Sequence, residues 1–211
     1  MRSFFRHARR HSVVCLLGAS LMLAGCSVLD KPARATVFDF GSGTAPAATQ
    51  PGAAARTPVA LADVEAAGAF DNTGVLYRLA YADAQQLQPY AQARWSMPPA
   101  QLLRQRLRQM LTQQTTVTRE GELALPRPMV LRIELDEFSQ RFESPVKSVG
   151  QVRLHATVTQ ASGTGERLLA QRDFAAERPA PSADAAGGVR ALTAATDAVV
   201  TDVAQWIGGL Q

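Results

Sequence analysis

Residues 149–174 read VGQVRLHATVTQASGTGERLLAQRDF, and this stretch decides the fold. Val152, Leu154, Ala156 and Val158 alternate with Arg153, His155, Thr157 and Thr159, the period of a strand with one buried and one solvated face. Ser162-Gly163-Thr164-Gly165 has turn chemistry, and residues 167–174 return as the partner strand of a hairpin. Just upstream, residues 129–138 (MVLRIELDEF) put Met129, Leu131, Ile133 and Leu135 on one face, a further strand. Downstream, Pro179-Ala180-Pro181-Ser182 breaks the sheet, and Ser182 or Asp184 can cap the next element. From Val189 on, Leu192, Thr196, Val199, Val203, Trp206 and Leu210 recur every three or four residues. That apolar stripe predicts a helix over 184–209 packed on the sheet. A coiled-coil seam is the other reading, weakened by the scarcity of flanking charge pairs.

Farther towards the N-terminus, Pro98-Pro99 opens a second helix over 98–114, since proline fits the first turn. Leu103, Leu107, Met110 and Leu111 share one face, and Arg104 and Arg108 lie on another. The basic face reads either as a solvated surface or as a dock for anionic headgroups or a partner. Residues 74–82 (GVLYRLAYA) alternate Val75, Tyr77, Leu79 and Tyr81 as a strand; 59–66 and 36–40 are weaker strand candidates. Residues 41–58, rich in Gly, Ala, Pro and Thr, have no apolar period and read as a flexible loop. The expected architecture is a single α+β domain over 36–211: a mixed or antiparallel sheet packed by two main helices.

Residues 1–11 hold Arg2, Arg6, Arg9 and Arg10 and no acid; residues 13–25 are apolar or small apart from Ser20. This is the pattern of a secretory signal peptide. Thirteen helical residues reach only about 20 Å, short of a bilayer's hydrocarbon core. The segment ends Leu23-Ala24-Gly25-Cys26 and resembles a bacterial lipobox, with cleavage between Gly25 and Cys26 and acylation of the Cys26 thiol. Residues 26–35 then form a lipidated tether. Ser27 after the cysteine leans towards the outer membrane, with inner-membrane anchoring left open. Four of the 22 basic residues and none of the 18 acidic ones lie in 1–25, so the mature chain is neutral. A neutral chain gives no electrostatic case for nucleic acid. Cys15 leaves with the signal peptide and Cys26 is acylated, so no thiol remains for a disulfide, a metal or nucleophilic attack.

The residues of catalysis are sparse. His155 is the one histidine of the mature chain and falls on the outward face of its strand, away from any nucleophile. Zinc spacing, a Walker lysine motif and a dinucleotide fingerprint are all missing from the sequence. Glu120 and Glu122 fall in a polar loop, and Asp136 and Glu137 end a strand pointing to opposite faces, which suits solvated carboxylates better than an acid–base pair. Trp95 and Trp206 read as core or interface residues. No enzyme, metal or cofactor is expected beyond the covalent diacylglycerol and N-acyl anchor on Cys26.

The run Leu76-Tyr77-Arg78, Leu87-Gln88-Pro89-Tyr90, Ala93-Arg94-Trp95-Ser96 and Pro98-Pro99, leading into an amphipathic helix, resembles the auxiliary lipoproteins of ABC-type transport systems, of the paraquat-inducible type. A strand like 131–138, a segment like Phe142-Glu143-Ser144-Pro145, a long β pair and a helix ending near Trp206 complete the family order. The resemblance spans roughly residues 36–210. It implies an α+β fold and a non-catalytic role beside an ABC permease, its ATPase and a periplasmic mammalian-cell-entry-type binding protein. Such systems move lipids or other hydrophobic molecules between membranes. It also implies that members can assemble into homo-oligomeric rings, with Tyr77, Arg78, Tyr90, Arg94, Trp95 and Pro98 as partner or structural positions. The rival classes are a stand-alone outer-membrane assembly factor and a structural envelope lipoprotein. A lipid carrier should hold an apolar cavity large enough for an acyl chain.

Overall fold

The computed structural model describes residues 34–42, 56–122, 127–162 and 165–211. The signal peptide, Gly25, Cys26, nearly all of the tether and most of the 41–58 loop lie outside the described residues. In chain order the elements are β1 (Thr36–Phe38), β2 (Val59–Ala66), a 3-10 turn (Gly68–Phe70), β3 (Gly74–Leu79), β4 (Asp83–Trp95), α1 (Pro99–Leu111), β5 (Val117–Arg119), β6 (Met129–Ser144), β7 (Lys147–Ser162), β8 (Gly165–Pro179) and α2 (Ala185–Gly209). All eight strands form one mixed sheet, and residues 35–211 are one compact unit. The α+β expectation holds.

The sheet branches at β6. Along one edge β6 pairs antiparallel with β7 over nearly its whole length. Along the other, its first half pairs parallel with β2 (Leu131 opposite Leu61) and its second half parallel with β3 (Gln140 opposite Tyr77). β5 extends the β2 branch; β4 and then β1 extend the β3 branch. A bulge in the β6–β7 register between Leu135 and Glu137 leaves Asp136 as the extra residue. It inverts the alternation: Met129, Leu131, Ile133 and Leu135 are buried before it, and Phe138, Gln140 and Phe142 after it. Asp136 and Glu137 therefore lie within a long strand rather than at its end. They meet different partners, Arg153 at 3.9 Å and Arg78 at 3.2 Å.

The β7–β8 hairpin forms as expected. Val152, Leu154, Ala156 and Val158 are fully buried while Arg153 faces water. α2 packs on β6, β7 and β8, and α1 packs on α2 and β2, so one hydrophobic cluster joins every layer. Being covered on two sides widens the α2 stripe: Ala191, Ala195, Val200, Ala204 and Ile207 are buried along with Val189, Leu192, Thr196, Val199 and Val203. Asp184 is the cap of α2, accepting the Gly187 amide at 2.6 Å. That bond and the Ser182 hydroxyl hold its carboxyl below the usual range. α1 buries Leu103, Leu107 and Leu111 as expected, and Leu102 as well.

Two strands depart from expectation. β3 ends at Leu79, and Tyr81 sits exposed in a turn instead of continuing the alternation. β4 has no apolar period because most of its side chains face solvent on both sides; it forms through its backbone pairing with β3 and β1. The close approach of α2 to β7 depends on Gly150, where a Cβ would stand 2.4 Å from the Leu192 amide nitrogen. The clash is with helix backbone, so Gly150→Ala should lower stability by about 2 kcal/mol, read as a lower urea midpoint with an unchanged slope.

Candidate functional site

Of the six candidate partner or structural positions, Tyr77 and Tyr90 meet across the β3–β4 pair, and Tyr90 reaches under the start of α2. Tyr77 on β3 and Tyr90 on β4 stack with ring centroids 4.6 Å apart. The Tyr77 hydroxyl donates to Gln88 Oε1 at 2.8 Å, and the Tyr90 hydroxyl donates to Gln140 Oε1 at 2.8 Å. Gln140 is fully buried and passes the chain on, donating through Nε2 to the Ser148 hydroxyl at 2.8 Å. Burial, followed by the neighbouring Tyr77 and Asp184, pushes the Tyr90 hydroxyl far above its ordinary pKa, so it stays a neutral donor. Gly188 on α2 completes the arrangement. A Cβ there would stand 2.0 Å from Gln140 Oε1, so glycine alone lets the helix seat over the amide.

Arg94 folds back to donate to the carbonyls of Tyr90 and Ala93, which holds the irregular stretch of β4 where its register with β3 shifts. Trp95 is almost fully buried and packs edge-on against Phe40 at 5.5 Å and Phe138 at 5.6 Å. Arg78 points to the other face of β3 and pairs with the half-orphaned Glu137, whose Oε1 has no partner among the described residues. Pro98 ends the strand and accepts the amides of Gln101 and Leu102 as α1 begins. The set locks α2 and β1 onto the sheet; it does not line a reaction cleft.

Residues that sequence reasoning missed belong to the same locking. Arg106 is buried in α1, where it donates to the Phe40 carbonyl at 2.7 Å and pairs with Asp197 of α2 at 3.1 Å. Its place in the helical period, between Leu103 and Met110, was the available signal. Gly187-Gly188 in a first helical turn was another, because two glycines there cost helix stability and so mark a close approach. The basic face of α1 is less free than its sequence implies. Arg104 pairs with Asp63 at 3.2 Å and donates to the Ala62 carbonyl, and Asp63 and Asp71 line the same open depression of about 390 Å³ as Arg108. Mixed charge there fits a solvated or partner-facing surface better than an anion dock. A second, more apolar groove of about 290 Å³ runs between Phe38, Tyr90 and Ala185. Trp206 is half-buried and packs edge-on to Phe174 at 5.5 Å.

His155 lies on the outward face, as expected, with Nδ1 2.6 Å from Asp173 on β8. Glu120 and Glu166 both hold Arg132, tying β5, β6 and β8 together. Among the described residues no group of three or more His, Cys, Asp or Glu is placed to hold a metal ion. No helix among them is long and apolar enough to cross a membrane.

The family model of the ABC-type transport auxiliary lipoprotein component matches residues 42–204. The chain belongs to that family. The matched span contains β2 to β8 and most of α2. Among solved structures, a DUF330-family protein of Xanthomonas campestris is 21% identical, with 82% of this chain covering 97% of that one at a TM-score of 0.65. A hypothetical protein of Chlamydia trachomatis is 10% identical, with 74% covering 98% at a TM-score of 0.51. At such identities these likenesses concern the fold alone. No curated protein matches in sequence.

Two measurements check this site. Tyr90→Phe leaves the buried Gln140 acceptor unpaired and should cost about 1–2 kcal/mol of stability by chemical unfolding, with the far-UV spectrum unchanged. The hydrogen bond to Asp173 raises the His155 pKa above 6.5, so its contribution to stability is complete below that value and fades as pH rises through the folded pKa. An NMR titration should find the His155 midpoint above 6.5, and Asp173→Asn should bring it back down.

Proposed function

We propose that this auxiliary lipoprotein is a non-catalytic, membrane-tethered component of a mammalian-cell-entry-linked ABC system that moves lipids or other hydrophobic molecules across the Gram-negative envelope. The observation that carries the reading is the family match across the folded body, joined to the lipobox Leu23-Ala24-Gly25-Cys26 upstream of it. Acyl chains on Cys26 hold the domain at the periplasmic face of the outer membrane. One chain binds a bilayer only marginally, and the further chains of a mature lipoprotein make the anchoring stable. The folded body then docks on the periplasmic binding protein, while the partner ATPase supplies the energy. Two observations favour docking over carrying. The sheet–helix interior is filled by packed side chains, and the depression of about 390 Å³ beside α1 has Asp63, Asp71, Arg104 and Arg108 in its lining along with Val64 and Ala100, unlike an acyl-chain pocket.

Crosslinked affinity purification from membranes should recover a mammalian-cell-entry protein together with its permease. Recovery of outer-membrane assembly proteins, or of peptidoglycan alone, would move the assignment to one of the other envelope roles. In the same cells palmitate should label the wild-type chain and not Cys26→Ala; equal labelling would remove the anchor from the account.

A further inference from the structure

Three turns gather where β3 and β6 end. β3 turns at 80–82, β6 turns into β7 at 145–146, and β8 leaves for α2 through 180–184. They are neighbours in the sheet. Leu79 stands opposite Phe142, the Ala80 amide donates to the Phe142 carbonyl at 3.0 Å, and the Ala180 amide donates to the Ser148 carbonyl at 2.9 Å. Tyr81 is 48% exposed on the first turn and Val146 85% on the second, with Pro145 and Pro181 exposed beside them. One exposed apolar residue carries no message, but an aromatic and an aliphatic residue crowning adjacent turns make an apolar end. Four of the charged groups around that end are bound in pairs, and Asp83 is capped by a backbone amide. Glu143 pairs with Lys147 at 2.7 Å, Arg141 pairs with Glu177 at 2.9 Å, and Asp83 accepts the Gln85 amide. At the opposite end stand Arg119, Glu120, Glu122, Arg127, Glu166 and Arg167, where Leu168 is a single exposed apolar side chain among charges.

The course of the chain selects the surface that covers the apolar end. β1 runs parallel to β4, with Thr36 opposite Ala93 and Phe38 opposite Trp95. β4 itself starts at the crowned end, where Asp83 stands opposite Leu79. The chain before Thr36 therefore enters from that side. Thr36 lies about six strand residues, or roughly 20 Å, below the turns. Residues 26–35, fully extended, reach at most about 35 Å, past the turns with length to spare. To reach the charged end the same ten residues would have to reverse direction and use most of their length doing so.

We propose that the crowned end is a membrane-interface contact, with Tyr81 and Val146 seated in the headgroup region of the same bilayer that holds Cys26. The inference rests on the reading of Cys26 as the acylated residue. A tyrosine ring suits that region because it offers an apolar body and a hydroxyl to water. With Glu143–Lys147 and Arg141–Glu177 paired, the contact is assigned to zwitterionic lipid. The contact gives the domain a fixed orientation, with the Arg132–Glu120–Glu166 end directed away from the membrane.

The test uses the full lipidated chain purified from membranes and reconstituted into phosphatidylethanolamine–phosphatidylcholine vesicles. Acylation leaves no other thiol in the mature chain, so Val146→Cys and, at the opposite end, Thr116→Cys each take one environment-sensitive fluorophore. The label at 146 should shift to the blue and lose emission to brominated acyl chains, while the label at 116 should do neither. If both labels report water although the protein floats with the vesicles, the interface contact is wrong and the anchor stands. A label at 116 that reports lipid also overturns the contact. If the protein does not float, the anchor reading fails and takes the contact with it. Tyr81→Ser combined with Cys-labelled Val146 should return the label towards water; an unchanged signal would assign the contact to residue 146 alone and overturn the paired site.

Discussion

The structure depends on one strand whose two edges are used differently. β6 keeps a single antiparallel neighbour, β7, along one side and shares the other between β2 and β3. Sharing requires a change of course part-way along, and the Asp136 bulge supplies it. Because the bulge inverts which residues face inward, the first half of β6 presents aliphatic side chains and the second half presents Phe138, Gln140 and Phe142. The aliphatic half joins the hydrophobic cluster that α2 covers and that β2 extends to α1. The other half receives the aromatic and amide groups that meet Tyr77, Tyr90 and Trp95.

Placing a glutamine in that second half sets a demand on everything above it. A fully buried amide must have its donor and acceptor met, or the fold loses more than the bond would contribute. Tyr90 from β4 and Ser148 from β7 meet them, and Gly188 gives the helix room to close over the amide. Three separate segments are thereby held to one geometry. Arg106 acts in the same way between the helices, where its guanidinium reaches a β1-side carbonyl and an α2 carboxylate at once. Burial raises the Asp197 carboxyl, with Arg106 acting against that rise. These polar contacts specify orientation in a core whose aliphatic part would tolerate several.

The legible elements are those whose residues obey a period. The β7–β8 hairpin and α2 were readable because each buries one face and exposes the other, and the side-chain pattern records that directly. β4 was not readable as a strand: Gln85, Gln86, Gln88 and Gln92 alternate with nothing, and Pro89 argues against a strand interior. Long-range pairing with β3 and β1 makes it a strand, and no local window contains that pairing. The Asp136 bulge was hidden for a related reason, since a bulge reveals itself only through its partner's register. The site residues were legible as a motif through family resemblance, yet their roles were not. Tyr77, Tyr90, Arg94 and Trp95 read as partner or structural positions, and their contacts within the domain are long-range ones that no local window contains.

That outcome bears on where an auxiliary component can meet others. If the motif positions are engaged inside the domain, contact with partners falls to surfaces the fold leaves free. β8 is a 15-residue edge strand paired on one side, and its outward residues include Glu166, Arg167, Arg172, Glu177 and Arg178. Charge of both signs along an edge guards it against strand addition. The short β1 edge carries no such guard: Val37 is exposed, and the apolar groove lined by Phe38 and Ala185 runs beside it. The two edges therefore differ in character: β8 sets Leu168 among charges, and β1 presents Val37 beside an apolar groove. The buried polar groups of this fold serve to keep its shape, which leaves position and surface as what the domain can offer to others.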